Sequence, residues 1–148
     1  MKKDIRFVAT SVAVVQGMLE LARVGADDCL FDLGSGDGRL VIAAAQLGAR
    51  AVGIEIDPSL VQRSRENAER AGVRGVEFRR GNFFDADLTG ATVVTLYLLH
   101  KVNLALLPRL LAVLPLSTRI VSHSFEMGDW EPQRTITVEQ KLIHLWVL

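Results

Sequence analysis

Three things are scarce in this sequence: net charge, cysteine and long apolar runs. Its 148 residues include 17 basic and 17 acidic side chains, which leaves no formal net charge. Nucleic-acid binders usually carry a basic excess, so no nucleic acid is expected as a partner, a local basic patch aside. The single cysteine, Cys29, excludes an intrachain disulfide. It fits a reducing compartment, and its place at the start of an apolar run reads as a small buried hydrophobe. No stretch approaches the roughly 18 apolar residues of a membrane span. The longest, Val93 to Leu99, reads as a buried strand, and no membrane insertion is expected. Lys2, Lys3 and Arg6 ahead of the apolar run from Phe7 to Val15 loosely mimic a secretory signal. Asp4 disturbs that basic region, and the run flows into a helical pattern, so a cytoplasmic location is the expectation. With no internal repeat and no low-complexity linker, the chain reads as a single domain over residues 1–148. No metal site is expected.

About half the residues, 49%, are hydrophobic, enough for a sizeable core. Strand-like and helix-like stretches alternate, which argues for a parallel sheet covered by helices. A first helix is expected over residues 10–24, with Val14, Val15, Met18, Leu19 and Ala22 on one face. Strands follow at Cys29 to Leu33, Ala51 to Ile56, Val76 to Arg79, Thr92 to Leu98 and Arg119 to Phe125. The fourth of these is unbroken and β-branched, hence central. Helices are expected at Arg39 to Leu47, from Pro58 to Ala71, and at Leu104 to Leu114. Asp57 caps the second of these and Gly72 ends it. Thr135 to Val138 and Lys141 to Val147 close the chain as a hairpin. No helix fits between Phe125 and Thr135.

The sharpest signal is Asp32-Leu33-Gly34-Ser35-Gly36-Asp37-Gly38-Arg39-Leu40, entered by a strand and left by a helix. Glycines let the main chain turn tightly and approach a ligand closely, and such sheets bind ligands at the carboxyl ends of their strands. A dinucleotide fold prefers Gly-x-Gly-x-x-Gly, with pyrophosphate on the helix N-terminus. Here the pattern is Gly-x-Gly-x-Gly, with Asp32 and Asp37 on either side. Acids repel phosphate and suit a ligand with an ammonium and a sulfonium. S-adenosylmethionine has both.

Glu55, in Gly53-Ile54-Glu55-Ile56-Asp57, falls at the end of the second strand about twenty residues on. Its two oxygens suit a pair of ribose hydroxyls. Asp57 reads as a cap rather than a ligand. After the third strand, Arg80-Gly81-Asn82-Phe83-Phe84-Asp85 marks where an adenine would lie. Asn82 can accept from its amino group and Phe83 can cover its face, with core packing as the alternative for both phenylalanines. Asp85 reads as a turn cap near Asp87. The expected cofactor set is Asp32, Gly34, Ser35, Gly36, Gly38, Glu55, Ile56, Asn82 and Phe83.

At these motifs the sequence resembles the class I S-adenosylmethionine-dependent methyltransferases. The string from Asp32 to Arg39, the Gly53-Ile54-Glu55 pair and Val121-Ser-His-Ser-Phe-Glu-Met-Gly-Asp-Trp130 look like one branch of them. These strings are similar to small bacterial homologues of the mitochondrial lysine methyltransferases of the ATP synthase c-subunit and the adenine nucleotide translocase. The resemblance runs from about Phe7 to the end. It implies a Rossmann-like α/β fold with a seven-stranded, mostly parallel sheet, a C-terminal antiparallel hairpin and helices on both faces. It also implies S-adenosyl-L-methionine as cofactor and a lysine side chain of a protein as acceptor. The sequence departs from the branch at Phe7-Val8-Ala9-Thr10-Ser11, Asn82, His100 and Ser124.

A sulfonium methyl is already electrophilic, so the protein must hold a nucleophile in line behind it. A lysine, with a pKa of about 10.4, must first lose its proton, and an apolar entrance favours that loss. Acceptor-site candidates lie at the ends of the fourth and fifth strands: Tyr97, His100, His123, Phe125 and Trp130. Tyr97 can orient an amine and His123 can accept a proton. Phe125 and Trp130 can line the channel. The alternatives are a core tyrosine, a backbone-bonded histidine and a tryptophan packed on the hairpin. No Asn/Asp-Pro-Pro-Tyr string follows the fourth strand, which lowers DNA adenine as target. Arg63, Arg65, Arg70 and Arg74, interleaved with Glu66 and Glu69, read as a solvated face, with an RNA footprint as the alternative. The chain carries no inserted lid, and an open face suits a protruding side chain of a large partner or a homo-oligomer that completes the pocket. A small-molecule or RNA methyltransferase, a non-catalytic cofactor-binding module and, more distantly, a nicotinamide oxidoreductase are the competing readings.

Overall fold

The structure, a computed structural model, describes residues 10–148. The basic group Lys2, Lys3 and Arg6, the start of the apolar run, and most of the Phe7–Ser11 segment lie outside the described residues.

The first helix, α1 (Val12–Leu21), starts where the Ser11 hydroxyl accepts from the Val14 amide. It buries Val14, Val15, Met18, Leu19 and Leu21. Strand β1 (Cys29–Leu33) and helix α2 (Arg39–Gln46) follow, then β2 (Arg50–Glu55) and α3 (Pro58–Ala71). Helix α3 has the signals its sequence carries: Asp57 accepts from the Ser59 amide, Pro58 fills the first position and Gly72 ends the helix at φ +66°. Next come β3 (Val76–Arg80), a short 3₁₀ turn (Phe83–Asp85), β4 (Val93–Leu96), α4 (His100–Val113) and β5 (Arg119–His123). Strands β6 (Arg134–Val138) and β7 (Lys141–Val147) form the closing antiparallel hairpin. Its two-residue connection, Glu139-Gln140, stands at φ +50° and +66°, the twist that a tight hairpin requires.

The strands form one seven-stranded sheet in the order β3-β2-β1-β4-β5-β7-β6. Neighbours from β3 to β5 run parallel, and β7 runs against both β5 and β6. The chain order reverses between β1 and β4, which opens a crevice at their carboxyl ends.

Alternate strand residues point to opposite faces, and the core divides accordingly. Leu30, Val93, Val121 and Leu145 face α1, α2 and α3. Phe31, Val94, Ile120 and Trp146 face the other way, toward α4, with Leu106 and Leu110. This second face is finished by Phe84, Leu88, Ala91, Met127 and Trp130 rather than by another helix.

Four elements differ from the sequence reading by more than one residue. Helix α1 spans Val12–Leu21, shorter at both ends than the expected 10–24. Strand β4 stops at Leu96, because Tyr97, Leu98 and Leu99 leave the sheet to line a cavity. Helix α4 starts at His100 instead of Leu104 and contains Pro108. Strand β5 stops at His123, where Ser124 at φ +72° turns the chain away.

Candidate active site

The loop between β1 and α2 turns through three glycines, Gly34, Gly36 and Gly38, all at positive φ. The amides of Gly34 and Ser35 both donate to the Ile54 carbonyl, at 2.8 and 3.0 Å, which fastens the loop to β2. Gly38 is a packing requirement. A Cβ there would come within 2.9 Å of the Phe78 ring and 3.0 Å of Ser64. Helix α3 holds the loop from behind. The Ser64 hydroxyl donates to the Gly36 carbonyl (2.9 Å), and the Asn67 amide donates to the Asp37 carbonyl (3.0 Å).

Glu55 closes β2 with both carboxylate oxygens engaged. Oε1 accepts from the Gly36 amide at 2.8 Å and Oε2 from the Asp57 amide at 3.0 Å. Each oxygen keeps a second lone pair, so the fork is aimed without being used up. Asp32 ends only 8% exposed, with Oδ1 accepting from the Thr95 hydroxyl at 2.9 Å. Burial, opposed by the Thr95 bond and reinforced by the Glu55 charge, pushes its carboxyl up to about 7. Asp37 behaves differently. Burial works to raise its carboxyl, but Arg39 grips both oxygens (3.0 and 2.6 Å) and holds it below the usual range. The loop therefore presents Asp32, not Asp37, as its uncompensated acid; among the described residues no ion pair to Asp32 is found.

These groups open onto a cavity of about 460 Å³, within the range that holds small ligands, roughly 300–1,000 Å³. Of the expected cofactor residues, Asp32, Gly34, Ser35, Glu55, Ile56 and Phe83 line it. Gly36 and Gly38 shape the loop without lining the cavity. Asn82 is exposed and caps the 3₁₀ turn by accepting from the Phe84 amide (2.9 Å). Asp57 both caps α3 and lines the cavity. A further wall is formed by Leu96, Tyr97, Leu98, Leu99, Val102 and Phe125, in which Tyr97 is the polar side chain.

The other acceptor-site candidates sit elsewhere. His123 is 3% exposed and lies behind Tyr97, the two rings stacked with centroids 3.8 Å apart. Burial, with the Lys141 charge second, pulls its imidazole down to about 4. It is neutral at pH 7 and is not part of the lining. Trp130 packs on Trp146, whose indole donates to the Trp130 carbonyl at 2.8 Å, so it belongs to the hairpin side of the core. His100 is exposed at the start of α4. Sequence reasoning missed Thr95, Ser64 and Asn67, which orient the site from a distance. Their only sequence signal is polarity at positions that the strand or helix pattern turns inward.

The residues fit a nucleoside-bearing cation. A buried acid with a raised pKa gains from an ammonium beside it. A buried Ser35 hydroxyl on the cavity wall has no partner among the described residues, and the backbone at Gly34 is bare. A Cβ at Gly34 would meet Leu98 at 3.2 Å.

Comparisons with known proteins agree. Residues 32–134 match the family model of the ANTKMT methyltransferase domain. A protein-lysine N-methyltransferase of Saccharolobus islandicus is 44% identical over 138 residues, covering 91% of this chain and 86% of that protein. The mouse adenine nucleotide translocase lysine N-methyltransferase is 37% identical over 89% of this chain, which spans 58% of the mouse protein. The crystal structure of a Salinibacter ruber protein described as an RNA methyltransferase, in complex with S-adenosyl-L-homocysteine, superposes with a TM-score of 0.92. It is 55% identical and matches 95% of this chain and 93% of its own. The chain belongs to the ANTKMT methyltransferase family and is an S-adenosylmethionine-dependent methyltransferase with the class I Rossmann-like fold.

Proposed function

We propose that this methyltransferase modifies a lysine side chain of a protein. The observation that carries the proposal is the apolar stretch of the cavity lining that accompanies Asp32 and Glu55, with one hydroxyl, that of Tyr97, set among Leu96, Leu98, Leu99, Val102 and Phe125. Lysine methylation needs an uncharged amine, and an apolar surround disfavours the ammonium form. The names of the archaeal and mouse relatives support the same acceptor.

The cofactor supplies a methyl group on a sulfonium, which leaves as a neutral thioether when an amine takes the methyl. The chain's own residues bind and orient. Asp32 would hold the ammonium end and Glu55 would take the ribose hydroxyls, its fork aimed by the Gly36 and Asp57 amides. Ile56 and Phe83, which line the same cavity, would cover the base. Tyr97 orients the incoming amine, and His123 braces the tyrosine ring from behind. His123 lies behind Tyr97 rather than in the lining and is a weak base there, so in this reading the lysine proton leaves to water as the side chain enters.

A second reading, RNA methylation, rests on the description of the Salinibacter ruber structure. The zero net charge weighs against it, as does α3, where Arg65 and Arg70 are bonded to the Phe78 carbonyl and to Asn67. Incubation with S-adenosylmethionine carrying a tritiated methyl, followed by separation of lysate protein, RNA and small molecules, tests the proposal. Methyl-lysine in the protein hydrolysate is expected. Label confined to RNA or to small molecules overturns it.

A further inference from the structure

Asn103 lies in the first turn of α4, faces the sheet and is 0% exposed. A buried amide is unfavourable unless it is hydrogen-bonded, and this one is bonded to a single place. Its Nδ2 lies 3.4 Å from the Ser122 hydroxyl, 3.3 Å from the Phe125 carbonyl and 3.3 Å from the Glu126 carbonyl. The first belongs to the end of β5 and the other two to the turn that leaves it. The turn carries its own tension, since Ser124 stands at φ +72°, a conformation disfavoured for a side chain with a Cβ. The Ser122 hydroxyl donates to the Phe125 carbonyl at 2.5 Å and draws the turn closed. The turn delivers Phe125 to the cavity wall, where its ring stacks with Tyr97 at a centroid distance of 6.2 Å.

The amide is committed to the turn after β5. Its donor half is in use there, while its buried Oδ1 has no partner among the described residues, and a leucine would fill the same interior but take the donor from the Glu126 carbonyl. The sequence neighbours of Asn103 give it a second meaning. Leu99 and Val102, in and just before the same helical turn, line the wall that Phe125 and Tyr97 complete. We propose that Asn103 is a positioning residue for the acceptor. It fastens α4 to the turn after β5 and so holds Phe125 and Tyr97 in one fixed wall. The inference rests on the reading that this wall receives the acceptor, and it does not depend on which acceptor that is.

The test compares Asn103→Leu, Phe125→Ala and the double variant with the parent. Amide hydrogen exchange in residues 122–127 should speed up at least tenfold in Asn103→Leu, with residues 34–38 unchanged. The affinity for S-adenosylhomocysteine should stay within twofold. The concentration of lysate protein giving half-maximal methylation should rise about tenfold in each single variant. The double variant should be little worse than Phe125→Ala, because the two residues act in series. Unchanged exchange at 122–127, a loss confined to S-adenosylhomocysteine affinity, or additive effects in the double variant overturn the proposal. Phe125→Ala, which leaves Asn103 intact, decides the matter if Asn103→Leu does not fold: normal saturation by protein in that variant refutes the role. Label found only in RNA refutes the lysine reading instead, and the exchange and saturation comparisons, run with total RNA as acceptor, still decide the role of Asn103.

Discussion

The buried Asp32 carboxylate makes two opposite demands on the protein, and Asp32→Asn separates them. In the ligand-free protein its pKa is about 7, against an ordinary 3.8. Between those values the folded state keeps a proton that the unfolded chain has released. Folded stability is therefore highest with respect to this group below pH 3.8 and declines as pH rises to about 7. The gap corresponds to about 4 kcal/mol. Asn cannot ionise yet keeps an acceptor for the Thr95 hydroxyl, so at pH 8 the ligand-free variant should be more stable than the parent by up to about 4 kcal/mol. Ligand binding should move the other way. An ammonium selects the ionised acid, so the parent's affinity for S-adenosylhomocysteine should weaken about twofold at pH 7 and about tenfold at pH 6 relative to pH 8.5. Removal of the charge should cost roughly tenfold to hundredfold in affinity, the worth of a charged hydrogen bond, and should flatten the pH dependence. Urea denaturation at pH 8 and calorimetric titration across the pH series read both effects. A variant that binds within twofold of the parent, or a parent affinity that is flat across the series, refutes the assignment of Asp32 to the ammonium.

Other consequences follow from the same geometry. Glu55→Ala removes the acceptor of two backbone amides along with the fork, and calorimetry should show S-adenosylhomocysteine binding at least about tenfold weaker. Gly53→Ala would place a Cβ 2.6 Å from the Ser35 hydroxyl and 2.9 Å from the Phe78 ring. Overpacking of that kind should lower stability by about 1–3 kcal/mol in urea denaturation and weaken cofactor binding with it. Tyr97→Phe keeps the ring that stacks on His123 and loses the hydroxyl. Donor affinity should hold within twofold while the methyl-transfer rate falls. Gln140→Gly relieves a left-handed residue in the hairpin turn and should stabilise by about 1 kcal/mol, read as roughly 2–4 °C in thermal unfolding.

What could be read from the sequence was local. Asp57, Pro58 and Gly72 bound α3 because capping and left-handed termination are decided by adjacent residues. The glycine loop was legible for the same reason: three closely spaced glycines between a strand and a helix mark a turn that only such residues enter without strain, and Gly34, Gly36 and Gly38 all take positive φ there. The start of α4 was not, because Leu99 offers no side-chain cap and Lys101 and Asn103 interrupt the apolar pattern. The ends of β4 and β5 were overrun because Tyr97, Leu98 and Phe125 are as apolar as the strands they follow. They leave the sheet to build a wall, and periodicity does not record that. The orienting residues were hidden by distance along the chain. Thr95 reaches Asp32 across 63 residues and Asn67 reaches Asp37 across 30. His123 and Trp130 were placed near the acceptor by their strand-end positions, and only packing shows one behind Tyr97 and the other against Trp146.

The most direct test of the account is a crystal structure with S-adenosylhomocysteine bound. The account predicts the amino group against Asp32 and Thr95, the ribose hydroxyls on Glu55, and the sulfur turned toward the wall formed by Tyr97 and Phe125. A complex in which Asp32 and Glu55 touch neither end of the molecule, or in which the sulfur faces away from that wall, would contradict it.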